Sequence, residues 1–138
     1  MEKYYLDTAI WRDLHENRTD RFRPLGEWAF ELLRKIRKDK SVVLYSDLVV
    51  EELLINYEIE DINKIFHIAK KEKFLNKIEI NFLQVKESKM LSKTFEIPKN
   101  DCLHAILARD NSAILVSRDR HFELIQHIST AKKPEDLI

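Results

Sequence analysis

The chain has 138 residues with 24 basic and 24 acidic side chains, a length that organises one core and a balance that attracts no charged partner by net charge alone. Its single cysteine, Cys102, excludes an internal disulfide and a cysteine-rich zinc site, and its single glycine, Gly26, excludes the glycine-rich cradles that bring backbone close to phosphate. No run approaches the ~18 uncharged residues of a membrane span and no apolar leader opens the chain, which predicts a cytoplasmic protein without a membrane anchor.

Periodicity, prolines and caps place the elements. Lys3–Leu6 is a short apolar run ending in Asp7, after which Thr8 can cap a helix carrying Ile10, Trp11 and Leu14 on one face. A polar, arginine-bearing loop, residues 17–24, leads to a helix with Trp28, Leu32, Leu33 and Ile36 at helical spacing. Residues 41–45 form an unbroken apolar run, as in a strand covered on both faces, and Ser46 or Asp47 caps a helix through Leu54. Ile62, Ile65, Phe66 and Ala69 mark a further helix, residues 78–82 read as a short strand and 83–94 as a helix. Pro98 suits the first turn of a helix to Arg109. Residues 113–117 are a buried strand, Phe122, Leu124 and Ile125 sit on a short helix, and 128–131 form a last edge strand. This alternation predicts a single α/β domain over 1–138, with three α/β/α layers around a parallel sheet of about five strands.

In open parallel sheets ligands bind beyond the carboxyl ends of the strands. Asp7 ends the first predicted strand and Asp119 follows the 113–117 strand, so both lie on one rim. Glu52, on the helix leaving the second strand, leans back over that rim because helical side chains tilt toward the amino end. Asp101 sits in the first turn after Pro98, on a face whose Ala105 and Ala108 admit close packing on the sheet. Singly, each acid is an ordinary cap or dipole partner. Four converging carboxylates repel one another and call for a cation, and Mg²⁺ or Mn²⁺ takes a few carboxylates while leaving positions for substrate phosphate. That is phosphodiester chemistry. The hydroxyls of Thr8 and Ser117 are placed to hold a water or a carboxylate.

Four segments carry a family resemblance. Tyr5-Leu6-Asp7-Thr8-Ala9 resembles the opening motif of PIN-domain ribonucleases, and Ser46-Asp47-Leu48-Val49-Val50-Glu51-Glu52-Leu53 is similar to the second, which places Glu52 rather than Glu51 as the acidic residue. Asp101-Cys102-Leu103-His104-Ala105-Ile106-Leu107-Ala108 resembles the third motif and Leu115-Val116-Ser117-Arg118-Asp119-Arg120-His121-Phe122 the fourth. The resemblance implies a magnesium- or manganese-dependent RNA endonuclease, very often the VapC-type toxin of a toxin–antitoxin pair, and frequent homodimers. On the shared rim, Asp7, Asp101 and Asp119 are expected to hold the ion, with Glu52 sharing it or orienting the attacking water. The chain departs from the pattern at His121, where many members carry a further acid; a neutral imidazole binds Mg²⁺ poorly and Mn²⁺ well. Both His121 and His104 otherwise read as solvated or phosphate-contacting.

Other classes stay open on the residues alone. A phosphoacceptor domain needs an acidic pair after the first strand and a haloacid-dehalogenase-type phosphatase needs Asp-x-Asp; here Asp7 is followed by Thr8 and Ala9. A housekeeping RNA-processing nuclease and an inactive interaction module are the alternatives within the same fold. For an RNA substrate, Arg18, Arg21, Phe22 and Arg23, with Arg118 and Arg120, offer charge and one ring to stack, and residues 64–94 add eight lysines against three acids. The helix from Asp47 carries Leu48, Val49, Leu53, Leu54 and Ile55, more than one buried stripe, and residues 47–61 hold six acids and no base. A basic, amphipathic antitoxin segment or a second copy of the chain is the expected cover.

Overall fold

The computed structural model describes residues 1–138. Its strands are β1 (Lys3–Leu6), β2 (Val42–Tyr45), β3 (Leu75–Lys77), β4 (Ile114–Val116) and β5 (Ala131–Lys132). All pair in parallel, in the order β3-β2-β1-β4-β5. The helices are α1 (Thr8–Glu16), α2 (Leu25–Lys38), α3 (Asp47–Leu53), α4 (Ile59–Lys71), α5 (Phe82–Phe95) and α6 (Lys99–Asp110), and Arg120–Ile125 is a 3-10 helix. The chain steps outward one way from β1 to β3 and returns to build β4 and β5 on the other side. With right-handed crossovers this puts α1 to α4 on one face and α5 and α6 on the other, giving three layers. The helix contacts agree: α1 packs on α2, α3 and α4, and α6 on α5 and the 3-10 helix. No helix is long and apolar enough to cross a membrane.

Coverage on both faces explains the unbroken apolar strands: Tyr4, Tyr5, Leu6, Val43, Leu44, Leu115 and Val116 are all buried. Ile10 and Trp11 carry α1 into the same core, where the Trp11 ring meets Phe66 edge-on at 4.8 Å. The direction of winding reverses between β1 and β4, which opens a crevice at their carboxyl ends. Register then fixes what faces it. Leu6 pairs with Val116, so the next residues, Asp7 and Ser117, leave the sheet side by side, and the Asp7 N–H donates to the Val116 carbonyl at 3.1 Å.

Three local expectations shift. The third strand is Leu75–Lys77 rather than 78–82, because buried Phe74 anchors its start and an Asn81–Gln84 capping box begins α5 at Phe82. The alternating Ile78 and Ile80 imitate a strand, but after the Ile78 N–H donates to the Tyr45 carbonyl at 2.8 Å the pairing with β2 ends and the chain turns toward α5. The last strand begins at Ala131, since the Ile128 N–H closes a turn onto Ile125 at 2.9 Å. The preceding short helix is 3-10, whose three-residue turn eclipses Phe122 and Ile125 inside and leaves Leu124 exposed. In α3, Leu48, Val49 and Leu53 are core residues, while Leu54 and Ile55 remain exposed at its end.

Gly26 serves packing rather than chemistry. A Cβ there would lie 2.5 Å from the Asn17 Cα and 2.7 Å from the Asp13 carbonyl oxygen, and Asn17 is the left-handed cap of α1. Gly26→Ala is therefore expected to push α1 and α2 apart and destabilise the chain by about 1–3 kcal/mol. Urea unfolding measures it; an unchanged midpoint would mean that the two helices separate freely.

Candidate active site

Asp7 sits at the switch point as the N-cap of α1. Its Oδ1 accepts the Ile10 N–H at 3.3 Å, and the Ser117 hydroxyl donates to its Oδ2. Thr8, expected to cap this helix, is released from that task. Burial pushes the Asp7 carboxyl up to about 6, with the Ser117 hydrogen bond opposing the rise and the Asp101 charge adding to it. Ser117 Oγ also accepts the Asp119 N–H at 3.0 Å, so one hydroxyl spaces two of the acids.

Glu52 is held from two sides. Thr8 Oγ1 donates to its Oε1 at 2.7 Å and His104 Nε2 lies 2.6 Å from the same atom. A carboxylate only accepts, so His104 Nε2 carries hydrogen; in the neutral ring Nδ1 then accepts from the Tyr5 hydroxyl at 2.8 Å. The Tyr5 oxygen lies 2.8 Å from Ser46 Oγ. Ser46 thus occupies the N-cap of α3 without capping it, its hydroxyl committed to the Tyr5 chain. Burial pushes the Glu52 carboxyl up, but the His104 and Thr8 contacts outweigh it and hold it below the ordinary carboxylate range. Burial also keeps the Tyr5 phenol a donor by raising its pKa.

This chain was only partly legible. His104, read as solvated or phosphate-contacting, is 2% exposed, because residues 102–108, the middle of α6, are all buried in the core. The usable signal was spacing: His104 lies three residues after Asp101, on the same helical face. As a positioning residue, His104 has a testable share. His104→Phe is expected to lower any activity that depends on Glu52 by ~10–100-fold, the usual effect of losing the outer partner of a working carboxylate, and His104→Gln, which can still donate to Glu52, to recover part of it. Equal turnover in both variants would remove the orienting role.

Asp101, in the first turn of α6, and Asp119, which caps the 3-10 helix, meet at His121. His121 Nδ1 lies 2.7 Å from Asp101 Oδ2 and 3.2 Å from Asp119 Oδ1. The three residues present ligand atoms that all fall within 4.8 Å of one another. The hydrogen bond to Asp101 raises the His121 pKa, with some loss to desolvation. Burial raises that of Asp101, against the His121 hydrogen bond and with the charge of Asp119. Two carboxylates and an imidazole form a donor set that a divalent ion fits.

The basic residues divide. Arg18 is tied to Glu16 at 2.9 Å and Asp13 at 3.7 Å, and Arg23 to Asp20. Arg118 faces Glu135, with Nη1 donating to Oε2 at 2.8 Å, and lies over the Trp28 ring, so it straps the carboxyl-terminal segment to α2. Arg21 and Arg120 make no ion pair, and Phe22 is fully exposed.

No curated protein matches the chain. Among solved structures, it superposes on a toxin–antitoxin complex from Klebsiella pneumoniae with a TM-score of 0.65 and 16% identity, covering 95% of this chain and 97% of that one. It superposes likewise on VapBC2 from Rickettsia felis bound to a promoter DNA fragment, with a TM-score of 0.68 and 18% identity, covering 95% and 98%. At these identities the likeness is one of fold. The family model of the PIN domain matches residues 4–128, a span that contains Asp7, Glu52, Asp101 and Asp119, and the chain belongs to the PIN domain family.

Proposed function

We propose that the chain is a divalent-metal-dependent endoribonuclease, the toxin of a toxin–antitoxin pair, that hydrolyses RNA phosphodiester bonds. The observation that carries the proposal is the meeting of Asp101, Asp119 and His121 within 4.8 Å at the switch point of a PIN fold, beside buried Asp7. Asp7, Asp101 and Asp119 would hold Mg²⁺ or Mn²⁺, with Glu52 sharing it and His121 favouring Mn²⁺. When bound, the ion supplies a lowered water pKa and charge neutralisation at the phosphate. Glu52, kept ionised and fixed by Thr8 and His104, accepts a hydrogen bond from the attacking water and orients it toward phosphorus. Ser117 holds Asp7 and the Asp119 backbone in fixed relation, so that the acids do not relax apart under mutual repulsion.

The toxin role draws support from the solved neighbours, which are toxin–antitoxin complexes aligned over 95% of this chain. It assigns a cognate antitoxin as protein partner, with a second copy of the chain as homodimer partner; Leu54 and Ile55 are the apolar residues that α3 leaves for such contacts. Induced expression in the native host tests it. Growth arrest that the Asp101→Asn variant fails to cause, and that a co-purifying small protein relieves, is the expected result. Unimpaired growth with wild-type protein present would remove the toxin role.

A further inference from the structure

We infer that the turn between α1 and α2 is a base-stacking post for single-stranded RNA beside the acidic site, with Phe22 as the stacking ring; this rests on the nuclease reading above. Arg21 and Phe22 have φ of 46° and 73°, the paired positive values of a type I′ turn. The turn is closed on both sides: the Asp20 N–H donates to the Arg23 carbonyl at 3.0 Å, the Arg23 N–H to the Asp20 carbonyl at 2.8 Å, and the two side chains form an ion pair. Left-handed φ is disfavoured for bulky residues and suits glycine or asparagine. Phe22 gains no packing in return, since its ring is fully exposed. A rigid tip that holds an aromatic in water against its own backbone preference serves something outside the fold.

Position identifies what that is. Arg23, at the base of the turn, lines a groove of about 590 Å³ together with Ser117, Asp119, Arg120 and Lys133. The groove therefore runs from the turn to two residues of the acidic site. Arg120, Lys133 and Arg21 are free of ion pairs, unlike Arg18, Arg23 and Arg118, and so are available to phosphates. Glu123 and Asp136 share the same walls, which weakens the groove's hold on a polyanion by charge alone. An RNA strand entering it must add a second contact, and a base stacked on an exposed ring is such a contact, tolerant of sequence because every base has a π face. An unpaired strand is required, since bases inside a duplex cannot reach the ring.

The test uses the Asp101→Asn protein, so that bound RNA persists, and two labelled probes of equal length: an oligoadenylate and the corresponding abasic ribose-phosphate chain. Phe22→Gly is expected to weaken oligoadenylate binding about tenfold, the range of one lost base–aromatic stack, and to leave abasic binding unchanged. Its Tm should stay level or rise, because glycine suits the positive φ, whereas a ring that mattered to the fold would lower it. Phe22→Trp should retain the affinity. Unchanged oligoadenylate affinity in Phe22→Gly, or an equal loss on both probes, overturns the inference. If the parent protein binds neither probe the inference also falls; cleavage of total RNA by wild-type protein then decides whether the nuclease reading falls with it.

Discussion

Asp101→Asn is expected to cut RNA hydrolysis by at least about a hundredfold while the protein folds normally. The lower bound follows because losing an outer partner of a metal ligand already costs ~10–100-fold, and Asp101 brings an oxygen directly into the cluster with Asp119 and His121. The fold should tolerate the change. Burial raises the Asp101 pKa, and the charge of Asp119 adds to that rise, so an amide of the same shape relieves repulsion. Initial rates on a defined RNA in Mn²⁺, with a melting curve for each protein, separate the two effects. Wild-type rates in the variant would take Asp101 out of the chemistry, and a collapsed melting curve would assign it to the fold.

Asp7→Asn is expected to make the metal-free protein more stable than wild type at neutral pH, and to abolish that advantage in acid. Burial raises the carboxyl from 3.8 to about 6. Between those values the folded chain keeps a proton that the unfolded chain has released, so stability falls as pH rises through the window and the penalty is complete above it. The shift corresponds to about 3 kcal/mol. Asparagine escapes the penalty and keeps an acceptor for the Ile10 N–H. Denaturation in EDTA at neutral pH and below pH ~4 measures both ends. An advantage that persists in acid would trace to shape rather than charge. The same substitution should lower hydrolysis, since the charge that burdens the fold is the one assigned to the metal.

The strands buried on both faces were legible because the interior of a covered strand is apolar without interruption, as at 4–6, 42–45 and 114–116. The rim followed, since Asp7 and Asp119 stand after the first and the last of these. What misled was local imitation. Ile78 and Ile80 alternate like a strand while the Asn81–Gln84 box already commits the chain to α5. The wiring behind Glu52 lay outside periodicity altogether: Ser46 and His104 are 41 and 99 residues from Tyr5 along the chain and meet it only through the fold. The order of the sheet also had to be seen, because β1 returns to the centre only once the crossovers are known.

Purified wild-type protein incubated with total RNA in Mn²⁺, in Mg²⁺ and in excess EDTA, with every new end mapped, decides whether the acidic rim hydrolyses RNA with a divalent ion. Discrete internal cleavage in Mn²⁺, at least as fast as in Mg²⁺, and none in EDTA is the expected result. Cleavage that proceeds equally in EDTA, or RNA left intact under all three conditions, would contradict it.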